Sequence, residues 1–389
     1  MKIVIAPDSF KESLSALEVA NAIEQGFKQV FPNIEYCKVP MADGGEGTVQ
    51  AMVDATGGHI VECQVTGPLG KPVEAFYGIL GQTDANSRRT AVIEMAAASG
   101  LHLVSTTQRN PLLTSSFGVG ELIADALNNG IKHIILGLGG SATNDAGAGM
   151  IQALGAKLTD VNGHNIALGG AALATLHNID LELLHPCISE CKIEVACDVD
   201  NPLCGPRGAS AIFGPQKGAT HLMVEQLDQA LAHFANVINR QDSPYIKLGC
   251  EHQAGAGAAG GMGFGVMALL AATLKPGVDI VTETVQLAQH CQDADLVITG
   301  EGRLDGQTVF GKTPMGVLNV AKRYNVPVIG IAGCLGDGAD AILEQGMKAI
   351  FPIIPSLQPL EQVLIEAQTN LTHTAQNIAA VWSLSLNRI

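Results

Sequence analysis

The chain has 389 residues, 47% of them hydrophobic, enough to bury large cores and to form two or three domains. A formal net charge of −15 with no Lys/Arg run excludes a basic face for nucleic acid or anionic lipid, so an anionic ligand must be held by local cations. Nine cysteines with no C-x-x-C pair give neither a disulfide framework nor a structural zinc site. In chain order, KIVIAPDSF predicts a short apolar strand ending in polar residues, and SALEVANAIEQGFKQVF a helix. EYCKVPMADGGEG and TVQAMVDATGG repeat the strand-then-helix step. HIVECQVTGPLGKPVEAFYGIL departs from it: two alternating strands around a Gly-Pro-Leu-Gly turn read as an antiparallel hairpin.

HIIL at 133–136 opens into the glycine-rich LGLGGSATNDAGAGM, which carries Ser141, Thr143, Asn144 and Asp145 and continues as a helix. IEVACDVDNPLCG predicts a buried strand over 193–196 that delivers Asp198 and Asp200 into a loop closed by Pro202 and Gly205. GAGAAGGMGFG at 255–265 runs into the helical VMALLAATL, an apolar stretch that stops at Lys275 and Pro276, short of a membrane span. After Asp293 the strand–helix alternation returns with ADLVITGEGRLDG, MGVLNVAKRYN, VPVIGIAGCLGDG, ADAILEQG and KAIFPII.

Apolar strands alternating with helices predict a parallel sheet covered on both faces. The fold class is therefore α/β: one doubly wound domain from residues 1–75 and 288–389, interrupted by a mixed α/β domain over 76–287. Asp8, Ser9 and Lys11, then Asp43 and Glu46, then Glu301, Arg303 and Asp305 fall at carboxyl ends of parallel strands, where an open sheet forms its ligand crevice. The two glycine loops each lead into a helix N-terminus, the place where free N–H groups and the helix dipole favour phosphate. GQTVFGKT at 306–313 matches the letters of a phosphate-binding loop. However, GEGRL separates it from its strand and Pro314 opens the helix, so Lys312 is read as an ordinary cation. Each feature also has a plainer reading: glycines for close packing, Asp8 and Asp43 as helix caps, Glu301, Arg303 and Asp305 as an ion-paired turn.

APDSFKESL, ADGGEGT, TGPLG, IEMAAASGL, GGSATNDAGAGM, ACDVDNPLCG, FGPQKGA, GAGAAGGMGFG and TGEGRLD resemble, in order and over nearly the whole chain, the signature stretches of the type 1 glycerate kinases of bacteria. The family's proline before GAGAAGG is replaced here by Gln253-Ala254. The resemblance implies a Rossmann-like domain interrupted by a second α/β domain. It also implies ATP-dependent phosphorylation of D-glycerate, with 2-phospho-D-glycerate favoured over 3-phospho-D-glycerate or another small hydroxy acid as acceptor.

Phosphoryl transfer needs cations over the phosphate, a carboxylate at the hydroxyl, and magnesium. Gly139, Gly140 and Ser141, with Gly257, Gly260, Gly261, Gly263 and Lys312, are assigned to the ATP phosphates. Asp8, Ser9, Arg303 and Asp305 are assigned to glycerate, Arg303 as a bidentate fork for its carboxylate, and Lys11 as a point charge for phosphate. Asp43, Asp198 and Asp305 are candidates for the base and the metal, with Asp198 and Glu301 assigned to Mg2+ and Asn201 to support. A strand-end Asp198 is expected to be rigid and partly desolvated.

The expected partners are small molecules, with no nucleic acid and no membrane, and a homo-oligomer is among the open options. MKIVIAPDSF has no signal-peptide pattern, so the expected location is the cytoplasm. A two-lobed small-molecule receptor would need an export signal, and a hydroxy-acid dehydrogenase would need G-x-G-x-x-G after the first strand.

Overall fold

The strands Lys2–Ile5 and Leu296–Thr299 are apolar on both faces, and such strands persist only where helices cover both sides of a parallel sheet. The computed structural model describes residues 1–241 and 243–386, and the chain divides into two units. The first takes Met1–Asp43, Gln50–Gly57 and the chain from Val278 onward. Its five-stranded sheet is parallel throughout, in the order Ala349–Pro352, Val328–Ala332, Leu296–Thr299, Lys2–Ile5, Glu35–Lys38. Register pairs Ile3 with Leu296 and Ile5 with Ile298. From Lys2–Ile5 the chain crosses to one side, while the strand on its other side comes from the far end of the sequence. The strand order reverses at this point, which opens a crevice outside the carboxyl ends of Lys2–Ile5 and Leu296–Thr299.

The helix Ala16–Lys28 starts at a capping box, with Glu18 N–H donating to Ser15 Oγ (3.3 Å) and Ser15 N–H donating to Glu18 Oε2 (2.8 Å). It buries Val19, Ile23 and Phe27 in a core shared with Ile3, Ile298, Ile331 and Leu371. Gly26 lets it approach the helix Ala367–Leu386 closely, because a Cβ there would stand 2.4 Å from the Thr372 carbonyl oxygen.

The second unit takes Gly44–Val49 and Gly58–Gly277. Its six-stranded sheet runs Thr273–Lys275, Lys192–Ala196, His133–Gly137, Arg89–Glu94, Pro72–Thr83, His59–Thr66. The first four strands are mutually parallel and the last two join antiparallel. Ile93, Ile134, Leu136 and Val195 centre its core, with Phe234 and Phe264 in edge-to-face contact at 6.0 Å. The domain boundaries of the sequence reading shift accordingly. A cut at 75/76 would split the hairpin, whose two strands pair along their length from His59–Ile79 to Thr66–Pro72 and so stay in one unit. At the other end the first unit begins again at Val278, not at 288. Among the described residues, no helix is long and apolar enough to cross a membrane.

Candidate active site

Past the end of Lys2–Ile5 the backbone stays zipped to its neighbour: Ala6 N–H donates to the Ile298 carbonyl (2.7 Å) and Asp8 N–H to that of Gly300 (2.8 Å). Met41 N–H in turn donates to the Pro7 carbonyl (2.9 Å), which steers the chain toward Asp43. Gly300 admits the next strand, since a Cβ there would lie 1.8 Å from the Ile331 carbonyl oxygen. The short strand Arg303–Leu304 pairs with Cys334–Leu335. These constraints gather Asp8, Ser9, Lys11, Asp43, Glu301, Gly302, Arg303 and Lys312 around a cavity of about 280 Å³ in the first unit.

Burial pushes the Asp8 carboxyl up to about 6, aided by the charge of Asp43, against hydrogen bonds from Thr313 and Ser9 that favour its anion. Thr313 Oγ1 donates to Asp8 Oδ2 (2.6 Å), and Ser9 N–H to Oδ1 (2.6 Å). Burial pushes Glu301 further, to about 7; the Thr308 hydroxyl and the Lys312 charge oppose this, and Asp8 and Asp43 reinforce it. Thr308 Oγ1 donates to Glu301 Oε1 (2.7 Å), while Lys312 Nζ stands 3.7 Å from Oε2 and 3.9 Å from Asp305 Oδ1. Arg303 is exposed at the rim, with Nε 3.4 Å from Asp305 Oδ2. Perturbed carboxyls facing a cation-rimmed cavity mark a place for acid–base work on an anion.

The loop after His133–Gly137 in the second unit is of another kind. Gly139 and Gly140 are exposed, and the residues that follow turn inward. Asp145 accepts from Ser116 N–H (2.8 Å), Ser116 Oγ (2.9 Å), Gly147 N–H (3.3 Å) and Gly149 N–H (3.4 Å), so the anion at the start of the helix Ala148–Ala153 is the protein's own carboxylate. Lys217, 2% exposed, donates to Ser141 Oγ (2.8 Å) and the Thr143 carbonyl (2.7 Å). Its burial lowers the ammonium to about 7 in spite of Asp145. Thr143 Oγ1 and Asn144 Oδ1 are buried with no hydrogen-bond partner.

Two expectations are corrected here. Gly257, Gly260, Gly261 and Gly263 do not form an open cradle. Gly257 N–H is donated to the Asn201 carbonyl (2.9 Å), and a Cβ on Gly260 or Gly263 would lie 2.0 Å from the carbonyl oxygens of Thr143 or Gly255. Ala259, Gly260 and Gly261 are left-handed, and the Gly260 carbonyl accepts from Ala146 N–H (3.1 Å), so the run serves as a backbone bed for the first loop. Asp198 is exposed rather than desolvated, and its Oδ1 accepts from Gly277 N–H (3.0 Å) at the start of the helix Gly277–Thr284. Asn201 donates to the Arg207 carbonyl (2.8 Å).

Lys217, Thr308 and Thr313 were missed by the sequence reading. The one signal they carry in the sequence is their place inside the motifs FGPQKGA and GQTVFGKT.

A parallel α/β sheet with half-buried acids and a cation rim at its strand-order reversal defines an enzyme acting on a small anionic molecule. Comparison with known proteins sharpens this. The model of the glycerate kinase family matches residues 3–383. A glycerate kinase from Haemophilus influenzae is 57% identical, with 98% of each chain covered, and a glycerate 2-kinase from Escherichia coli K12 is 53% identical, with 99% of each covered. A solved structure from Salmonella typhimurium LT2, assigned as a glycerate kinase 2, superposes with a TM-score of 0.90 at 55% identity over 100% of this chain and 99% of that one. The chain belongs to the glycerate kinase family of enzymes.

Proposed function

We propose that this enzyme transfers the γ-phosphoryl group of ATP to D-glycerate and yields 2-phospho-D-glycerate in the cytoplasm. The observation that carries this reading is the acid cavity at the strand-order reversal of the first unit, with Lys11, Arg303 and Lys312 around Asp8, Asp43 and Glu301. The name of the E. coli relative, glycerate 2-kinase, supports the 2-hydroxyl as acceptor.

Arg303 holds the glycerate carboxylate with its fork. Glu301 takes the hydroxyl proton on Oε2; a carboxyl poised near 7 suits a base working near neutrality. Lys11 and Lys312 face the phosphoryl oxygens.

Among the described residues, no three His, Cys, Asp or Glu side chains form a ready-made metal cage. Mg2+ needs less, since one or two carboxylates plus phosphate oxygens complete its shell. Asp8 and Asp43 fit that role as hard oxygen donors, burial and then the charge of Asp43 raising the Asp8 carboxyl. Glu301 fits it less well, because Lys312 already faces its Oε2. Bound there, Mg2+ would supply neutralisation of phosphate charge.

The test is incubation of the pure protein with D-glycerate and ATP-Mg, followed by phosphorus NMR of the product. A 2-phosphoglycerate signal is expected. A 3-phosphoglycerate signal overturns the regiochemistry, and no phosphoglycerate overturns the reading.

A further inference from the structure

The segment 306–313 carries the letters of a phosphate-binding loop, and the function described above uses only its lysine. Its two threonines are both 0% exposed, and each aims its hydroxyl at a carboxylate of the acid cavity. Thr308 Oγ1 accepts from Asp305 N–H (3.1 Å) and donates to Glu301 Oε1 (2.7 Å). A hydroxyl has one proton, and the Asp305 amide occupies a lone pair, so that proton is aimed at Glu301. Oε1 is thereby fixed as an acceptor, and Oε2, which has Lys312 Nζ 3.7 Å away but no hydroxyl on it, is the oxygen that gains a proton. Thr313, first residue of the helix Thr313–Lys322, does the same for Asp8: with Oδ2 taken by its hydroxyl and Oδ1 by Ser9, the carboxylate is held in one orientation from both sides.

We propose that residues 306–313 act as a carboxylate clamp, in which Thr308 and Thr313 are positioning residues that orient Glu301 and Asp8 for phosphoryl transfer. The motif thus keeps the sequence of a phosphate loop but turns its hydroxyls toward the protein's own acids. This inference rests on the reading of the acid cavity given above. Charge-assisted hydrogen bonds from hydroxyls that are themselves locked by packing are the usual means of keeping a reacting carboxylate in place.

The test is a pair of double-mutant cycles in steady-state kinetics, Thr308→Val with Glu301→Gln and Thr313→Val with Asp8→Asn. Each valine variant is expected to lower kcat ~10–100-fold, the range for losing a group that orients a reacting ligand, with little change in the KM for glycerate. Thr308→Ser and Thr313→Ser, which keep the hydroxyl, are expected to restore most of the rate. In the Glu301→Gln background, Thr308→Val is expected to add no further loss, whereas a role in general packing would add its full effect. Should a valine variant not fold, the serine variant and Thr308→Ala are put through the same cycle.

Wild-type kcat in the valine variants alongside a damaged Glu301→Gln overturns the clamp and leaves the cavity reading standing. Additive losses, or serine variants as poor as valine, also overturn it. Wild-type kcat in both Glu301→Gln and Asp8→Asn overturns the cavity reading and the clamp together.

Discussion

Asp145 in the second unit and Glu301 in the first are both carboxylates raised by burial, yet they are provisioned differently. Asp145 receives four hydrogen bonds from Ser116, Gly147 and Gly149, and its own charge acts on the buried ammonium of Lys217. Glu301 receives one hydroxyl and the more distant Lys312, and it faces a cavity. The first is saturated by its own protein and braces a loop. The second keeps capacity for a ligand. Density of polar residues in a motif is thus a weaker sign of chemistry than how much of their bonding capacity the fold has already consumed.

The sharpest way to break this contrast is Glu301→Gln. It keeps the shape and removes the base, so kcat is expected to fall ~10²–10⁴-fold in a coupled assay. In the wild type, the base must be ionised, so kcat/KM for glycerate is expected to decline as pH drops below about 7. Stability moves the other way. The fold raises this carboxyl from 4.5, so its contribution is fully present below that value and is lost as pH rises through about 7. Glu301→Gln, neutral throughout, is therefore expected to melt above the wild type at pH 8 and close to it at pH 4.

Lys217→Ala probes the saturated member. It removes the donor to Ser141 Oγ and to the Thr143 carbonyl, leaving two buried acceptors unpaired at a cost of about 1–3 kcal/mol in urea unfolding. A loss below about 1 kcal/mol would show that the two carboxylates are not so different. Arg303→Ala, at the rim of the open site, is expected to raise the KM for glycerate by an amount worth ~1.5–3 kcal/mol, with unfolding unchanged. An unchanged KM removes Arg303 from the substrate. The smallest effect is expected at Asp198, where Ala removes the acceptor for the Gly277 amide and costs ~0.5–2 kcal/mol of stability. If Asp198→Asn instead loses kcat as Glu301→Gln does, the base belongs in the second unit and the contrast fails.

Much of the first unit could be read from the chain because its rules are local: apolar strand, polar strand end, helix. Asp8, Ser9, Lys11, Asp43, Glu301 and Arg303 stand out on that basis, Lys312 only through the phosphate-loop letters, and all lie around one cavity. The second unit was harder because its key contacts are set by distant segments. Lys217 in FGPQKGA reads as a surface lysine until the loop bearing Ser141 and Thr143, 76 and 74 positions away, closes over it. The glycines of 255–265 look the same whether they face a phosphate or a neighbouring carbonyl, and only the approach of Thr143 and Ala146 decides it. The strand before Asp198 was legible, but not the amide 79 positions later that its carboxylate would meet. The hairpin is legible in the alternation of its strands, but a boundary at 75/76 falls inside it, where pairing holds both strands in one unit.

The parallel sheet of the first unit also sets an order of events during synthesis. Ala6 accepts a hydrogen bond from Thr299, 293 positions later, and the strand that leaves the ribosome first waits for that partner. At ~5–20 residues per second the wait is on the order of 15–60 s. Over that interval Lys2–Ile5 and Glu35–Lys38 lack the strands that complete their sheet, and one ladder edge remains open to wrong partners. The six strands of the second unit, by contrast, have all been made by Lys275. A nascent chain halted there would carry the lysine-braced glycine loop but none of Glu301, Arg303 or Lys312, so half of the lining of the acid cavity arrives only with the last quarter of translation.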